Sequence, residues 1–399
     1  MLQRTIGLGS PAHDLGACGD VQRRVRATRA KQRNQREGSR DPKRNPGPAY
    51  HVAMDLVETF RALPKAELHQ HLDGSLRPET AVELAPEAAI DLTLEDARAR
   101  MVGPERCADQ AELLSFFDLP ISLLQTRPAL ERVTAELIDD LAADGVRYAE
   151  IRWAPRLHLE GGLGVADVIE AVAGAVASRA ATRGPAMPLI GLIVTAMRSH
   201  PPAANVELAA AAAAFGHPIV GFDLAGPEAA FPAPPHALAF VTAREGGLEL
   251  TAHAGEVPGP DRVREVLDFD VRRVAHGVTA HDDAGLLELL RARDITLDLC
   301  PTSNVQAGIV RSLAEHPVAA LHRAGVSVTI STDDRTVTGT TLSAELANCA
   351  IALGLEPSEI ADIALNGFRR GFAPPRIRQP FMEEARAAWE AWASTGRIS

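Results

Sequence analysis

From Lys65 onward the chain alternates short β-branched runs with longer helical patterns, and no other feature restricts the fold as strongly. Eight runs read as strands: AELHQHL, VRYAEIRWA, LIGLIVTAM, IVGFDLA, LELTAHA, RRVAHG, TLDLCPT and VSVTIST. Helical segments such as PALERVTAELIDDLAADG, VADVIEAVAGAVASRA, HALAFVTARE, DDAGLLELLRARD and PVAALHRAG lie between them. Several close with Gly, as a helix stop does. Parallel strands need crossovers of this kind, and eight such units predict one α/β domain, a closed (β/α)8 barrel of the TIM type. Extra helices are expected in an excursion after the first strand, at about residues 78–130, and again at the C-terminus. Within the excursion, LLSFFDLPISLL is apolar enough to pack as an ordinary helix pair or to cover the site as a lid.

Charge divides the chain. Residues 1–49 hold eleven Lys/Arg against four Asp/Glu, so a net charge of −11 leaves −18 on the remainder. A body this acidic is a poor partner for nucleic acid. The leading segment is polar, basic and poor in apolar residues, and it lacks the apolar core of a secretory signal. Residues 1–53 are therefore expected to be a disordered basic extension, with the catalytic barrel at 54–399. Translation starting at Met54, just before DLVETFRALPKAELH, is a further expectation that the intact mass of natively expressed protein would check. No apolar stretch is long enough for a membrane helix. The four cysteines, Cys18, Cys107, Cys300 and Cys349, form no CxxC pair. That argues against a disulfide framework and a cysteine-held zinc, and a cytoplasmic setting is expected.

The chemistry sits at strand ends. His69 and His71 are two apart on the first strand and so point the same way. His253 ends the fifth strand, His276 the sixth, and Asp333 with Asp334 the eighth. In this fold active sites lie at the C-terminal ends of strands. Three imidazoles and a carboxylate from His69, His71, His253 and Asp333 suit one catalytic zinc with a position left for water. Such an ion lowers the pKa of its water from about 15.7 towards 7. His276 and Asp333 are placed to orient that water or take its proton. Glu256, three residues after His253, is better placed as an acid, which requires a dry site that raises its pKa. A second metal in barrel hydrolases typically needs a modified Lys on the fourth strand, and GFDLAGPE has none. A zinc site of the cytidine-deaminase type fails too, since Cys300-Pro301 has no second Cys to complete it.

The motifs ELHQHLDGS, FDLAGPE, TAHAGE, VAHGV, CPTSN and STDD, in this order, resemble the adenosine deaminase family of metal-dependent hydrolases. The resemblance covers about residues 60–375. It implies hydrolytic deamination at C6 of a purine: water adds, ammonia leaves, and adenosine or 2′-deoxyadenosine gives the inosine product. By position it implies His69, His71, His253 and Asp333 as ligands of one zinc, Glu256 as the proton donor to N1 and His276 as the aid to the attacking water. It also implies that Asp334 meets N7, the Gly226 backbone meets N3, and Asp73 meets the sugar hydroxyl. Relatives acting on free adenine tend to carry Glu at this last position and those acting on nucleotides Asn, so Asp73 points to a nucleoside.

Two departures bear on the substrate. Arg335 stands where many members have Pro, and Gly-Pro-Glu where many have Gly-Asp-Glu. A guanidinium at the rim could pair with an anionic arm, so the alternative substrate is a modified adenosine such as 6-amino-6-deoxyfutalosine. A non-catalytic binding barrel is a third class, disfavoured by the complete ligand set. Ser303 and Asn304 read as shaping the loop after the seventh strand, Cys300 and Trp153 as packing residues. His158, His200 and His281 read as surface or packing residues without a partner pattern.

Overall fold

A computed structural model describes residues 48–184 and 187–395. Eight strands form one sheet: β1 (Lys65–His71), β2 (Val146–Trp153), β3 (Leu189–Met197), β4 (Ile219–Ala225), β5 (Glu249–Ala254), β6 (Arg273–His276), β7 (Thr296–Leu299) and β8 (Ser327–Ile330). Each pairs in parallel with the next in chain order. The expected barrel and all eight of its strands are present. The last three strands stop short of the runs read from sequence. After β7 the reason is local: Pro301 lacks the N–H a ladder needs and opens a helix, Pro301–Gln306, at its first position. That helix and Asp261–Leu267 were not legible, being one to two turns long.

The ring is joined beyond the end of β8 by a parallel bridge between Gln70 and Asp333. The Asp333 N–H donates to the His69 carbonyl at 2.9 Å, and the His71 N–H donates to the Asp333 carbonyl at 2.7 Å. The seam of the barrel thus sets Asp333 between the two histidines of β1.

Covering helices follow the strands at Arg127–Ala143, Val165–Arg183, Pro202–Phe215, Ala237–Glu245, Ala284–Ala292 and Val318–Arg323. The alanine-rich run is the helix Pro202–Phe215, and among the described residues no helix is long and apolar enough to cross a membrane. Three helices, Leu342–Leu353, Pro357–Arg370 and Pro375–Thr395, end the chain. The last is tied to the helix Pro48–Ala62: the Phe60 ring lies 5.2 Å from that of Trp389, whose indole N–H donates to the Pro64 carbonyl at 2.8 Å. Of the segment 1–53, residues 1–47 lie outside the described residues. Residues 48–53 are helical, a correction to the expected extension, because the first helix begins at Pro48 and buries Leu56 and Phe60 further along. Trp153 and Cys300 are buried in the barrel wall, as expected.

Candidate active site

Four side chains converge where the barrel seam closes. The Nε2 atoms of His69, His71 and His253 are 3.1–3.2 Å from one another. Asp333 Oδ1 is 3.0 Å from His69 Nε2 and 3.3 Å from His71 Nε2. Atoms spaced this way surround a common point about 2 Å from each, the length of a zinc–nitrogen or zinc–oxygen bond. The donor set fits for a chemical reason as well. His253 Nδ1 lies 3.0–3.1 Å from the Asp223 carboxylate, so that nitrogen carries the proton and Nε2 turns a bare lone pair on the cluster. Burial holds His69 and His71 neutral, His71 pushed down to about 3, which keeps their lone pairs free. Burial alone would raise the Asp333 carboxyl, but the imidazoles of His69 and His276 hold it well below the usual range. Its second oxygen accepts from the Ser303 hydroxyl at 2.7 Å.

The site is strained where it does its work. His276 and Asp333 both occupy the left-handed backbone region, with φ of 62° and 64°, a conformation costing about 1–3 kcal/mol for a residue with a side chain. His276 Nε2 lies 3.5 Å from Glu256 Oε1 and 3.8 Å from Asp333 Oδ2, so it stands beside the cluster rather than inside it. Glu256 sits on a loop held by Glu228, whose two oxygens accept the backbone N–H groups of Gly255 and Glu256 at 3.0 Å. Burial pushes the Glu256 carboxyl up to about 8; Glu228 and Asp333 add to the shift, and His253 and a bond from the Gln110 amide oppose it. Gln110 also accepts from the Glu228 N–H at 3.1 Å. Burial, then the neighbouring Asp333, Asp73 and Glu256, hold Asp334 protonated well above the carboxylate range, and its Oδ1 is buried without a partner. Gly74 makes room for it: a Cβ there would lie 2.0 Å from that oxygen.

A cavity of about 290 Å³ opens onto these residues, near the lower end of the range for small-molecule sites. Leu113, Leu114, Phe117 and Ile121 line it, so the apolar piece of the excursion covers the site. Gly226, held at φ 107° as only glycine readily is, lines it too. Among the described residues no Lys or Arg lines it, and its acidic side chains are Asp73, Asp118, Glu256, Asp333 and Asp334. Arg335, half-buried, does not line it.

The chain matches the family model described as adenosine deaminase over residues 64–387. It belongs to the adenosine deaminase family. An adenosine deaminase of Mycobacteroides abscessus is 39% identical over 340 residues, 80% of this chain and 93% of its own length. An adenine deaminase from Arthrobacter aurescens superposes with a TM-score of 0.76 at 28% identity, covering 84% of this chain and all of that one. An N6-methyl-AMP deaminase from Arabidopsis thaliana gives 0.73 at 27% identity, covering 85% and 99%. Members of this family are metal-dependent, and the protein is a deaminase, a hydrolase acting on carbon–nitrogen bonds.

The structure brings His69, His71, Asp73, Gly226, His253, Glu256, His276, Asp333 and Asp334 to this one rim and leaves Arg335 outside the cavity, and two expectations change. His158 is not a bystander: it is buried and its Nε2 lies 2.9 Å from Asp73 Oδ1. Ser303 and Asn304 do more than shape a loop, for they contact Asp333 and His276. Asp223 and Glu228 went unassigned, although a carboxylate in the apolar run IVGFDLA signals a buried, partnered acid.

Proposed function

We propose that this protein deaminates adenosine and 2′-deoxyadenosine hydrolytically to the inosine products and ammonia, using one zinc ion per chain. The observation that carries the proposal is the convergence of three imidazoles and Asp333 beside a carboxyl, Glu256, raised to about 8, in a cavity without a cationic wall. His69, His71, His253 and Asp333 would hold the ion, and zinc there supplies the Lewis acidity that makes water a nucleophile at neutral pH. Each remaining group has one task. Glu256, protonated at neutral pH, gives its proton to N1, which removes electron density from C6 as water adds there. Asp334 is the complement of N7: that nitrogen only accepts, so a carboxyl kept protonated by burial is the form that bonds it. His276 faces the reacting oxygen and steadies it. Gly226 offers its backbone to N3, and the covering leucines and Phe117 exclude water from the purine.

Asp73, oriented by His158, reads the sugar hydroxyl. Among the described residues no Lys or Arg lines the wall to hold a 5′ phosphate, and the carboxylates of Asp73 and Asp118 would repel one. The same wall weighs against the carboxylate of 6-amino-6-deoxyfutalosine, since Arg335 stands outside it. Relative kcat/KM for adenosine, 2′-deoxyadenosine, adenine, N6-methyl-AMP and 6-amino-6-deoxyfutalosine tests this reading. The two nucleosides are expected to lead; a preference of tenfold or more (about 1.4 kcal/mol) for any of the other three would overturn the substrate assignment while leaving the reaction intact.

A further inference from the structure

Behind His276 two buried side chains stand end to end, and a group of fixed polarity anchors their row. The Val318 backbone N–H can only donate, and it meets His316 Nδ1 at 3.2 Å. His316 therefore accepts on Nδ1 and carries its proton on Nε2, which donates to Asn304 Oδ1 at 3.1 Å. That contact decides which way the amide faces: oxygen to His316, nitrogen to His276. Asn304 Nδ2 then donates to His276 Nδ1 at 3.1 Å. All three residues are buried, and burial keeps His316 neutral, its pKa pushed down to about 3.

We propose that Asn304 and His316 are positioning residues that fix the tautomer of His276, so that its Nε2 presents an N–H, not a lone pair, to the reacting oxygen. The chemical consequence rests on the deaminase reading above. A neutral His276 whose Nδ1 is occupied as an acceptor can give a hydrogen bond to the adding water but cannot take its proton. The proton passes instead to Glu256, which has just given its own to N1 and is left as a carboxylate. The same carboxyl then protonates the departing amine, which leaves as ammonia, and the hydroxyl proton released as the C6 carbonyl forms restores the acid. One water is consumed, one ammonia is released, and His276 ends as it began.

The test is a two-bond proton–nitrogen correlation spectrum of histidine-selective ¹⁵N-labelled, metal-loaded protein. His276 is assigned from the signals lost in His276→Gln. The expected pattern is a protonated, pyrrole-type Nε2 and a pyridine-type Nδ1; the reverse pattern, or two protonated nitrogens, overturns the proposal. Asn304→Asp then replaces the donating amide with an acceptor. It is expected to move the proton to Nδ1 and to lower kcat about tenfold or more with little change in KM. A folded, metal-loaded Asn304→Asp protein with the wild-type ring pattern overturns it equally, and if that variant does not fold the wild-type spectrum decides alone. The ring pattern is read without turnover. The expected pattern in a protein that leaves adenosine untouched would therefore refute the adenosine reading and not the tautomer assignment.

Discussion

The two ends of the barrel carry buried charge in opposite ways. At the N-terminal end, Arg273 meets Asp298 Oδ2 at 2.7 Å and Glu150 Oε2, stacks 3.6 Å above the Phe372 ring, and donates to the Arg370 carbonyl at 2.9 Å. The other oxygens of those acids are also met: Asp298 Oδ1 by Thr329 at 2.9 Å, Glu150 Oε1 by the Tyr148 hydroxyl and the Phe372 N–H. Every acceptor of the two carboxylates has a donor, and the cluster is complete as it stands. At the C-terminal end three lone pairs converge on one another, Asp334 keeps a buried oxygen without a partner, and two residues hold left-handed backbone. A folded chain gains nothing from such an arrangement by itself. The lower cluster explains itself as structure, whereas the upper one makes sense only with a cation and a polar ligand in it.

The contrast is open to attack by substitution. The largest effect is expected from Glu256→Gln, which keeps shape and burial but removes the proton: kcat falls about 10³-fold while bound metal and melting temperature stay near wild type. Near-normal turnover would remove Glu256 from its role. At the lower end, Arg273→Met is expected to do the reverse, leaving Glu150 buried without its cation and Asp298 with only Arg152, 3.9 Å away. Urea unfolding should show a loss of about 3–5 kcal/mol, with kcat per folded molecule little changed.

Asp223→Asn reaches the upper cluster through one hydrogen bond, and competition with a chelator is expected to show a loss of about 10–100-fold in metal affinity. The pH profile gives a smaller and more gradual signature. Glu256 acts as the acid and its pKa is raised to about 8, so kcat/KM holds below that pH and falls as pH rises through it. The decline should approach tenfold per pH unit, and a profile still rising above pH 9 would contradict the assignment. His158→Asn frees Asp73 from its partner and is expected to raise KM for adenosine by about tenfold, with kcat and adenine turnover less affected.

Much of this was legible in the chain. β-branched runs punctuated by Gly located the eight strands, because parallel strands buried on both faces are nearly continuous in apolar residues. His69, His71, His253, His276, Asp333 and Asp334 stood out because chemistry in this fold gathers at strand ends. The supporting residues did not, since what they touch is set by register around the ring. Asp223 meets a histidine 30 positions on, Glu228 the backbone 27 and 28 positions on, and Asp73 a histidine 85 positions on. No local pattern encodes those distances. Asn304 and His316 were hidden for a further reason: their meaning lies in the direction of the hydrogen bonds, which needs the Val318 N–H as its fixed end.

The most direct measurement is the conversion of adenosine by the purified chain, followed as loss of substrate and release of ammonia, before and after chelation and again on adding back zinc. One ammonia per adenosine consumed, activity lost on stripping, and full recovery at one zinc per chain are the expected results. Unchanged activity in metal-free protein, or no deamination by the fully zinc-loaded chain, would contradict a single-metal deaminase site at the C-terminal rim.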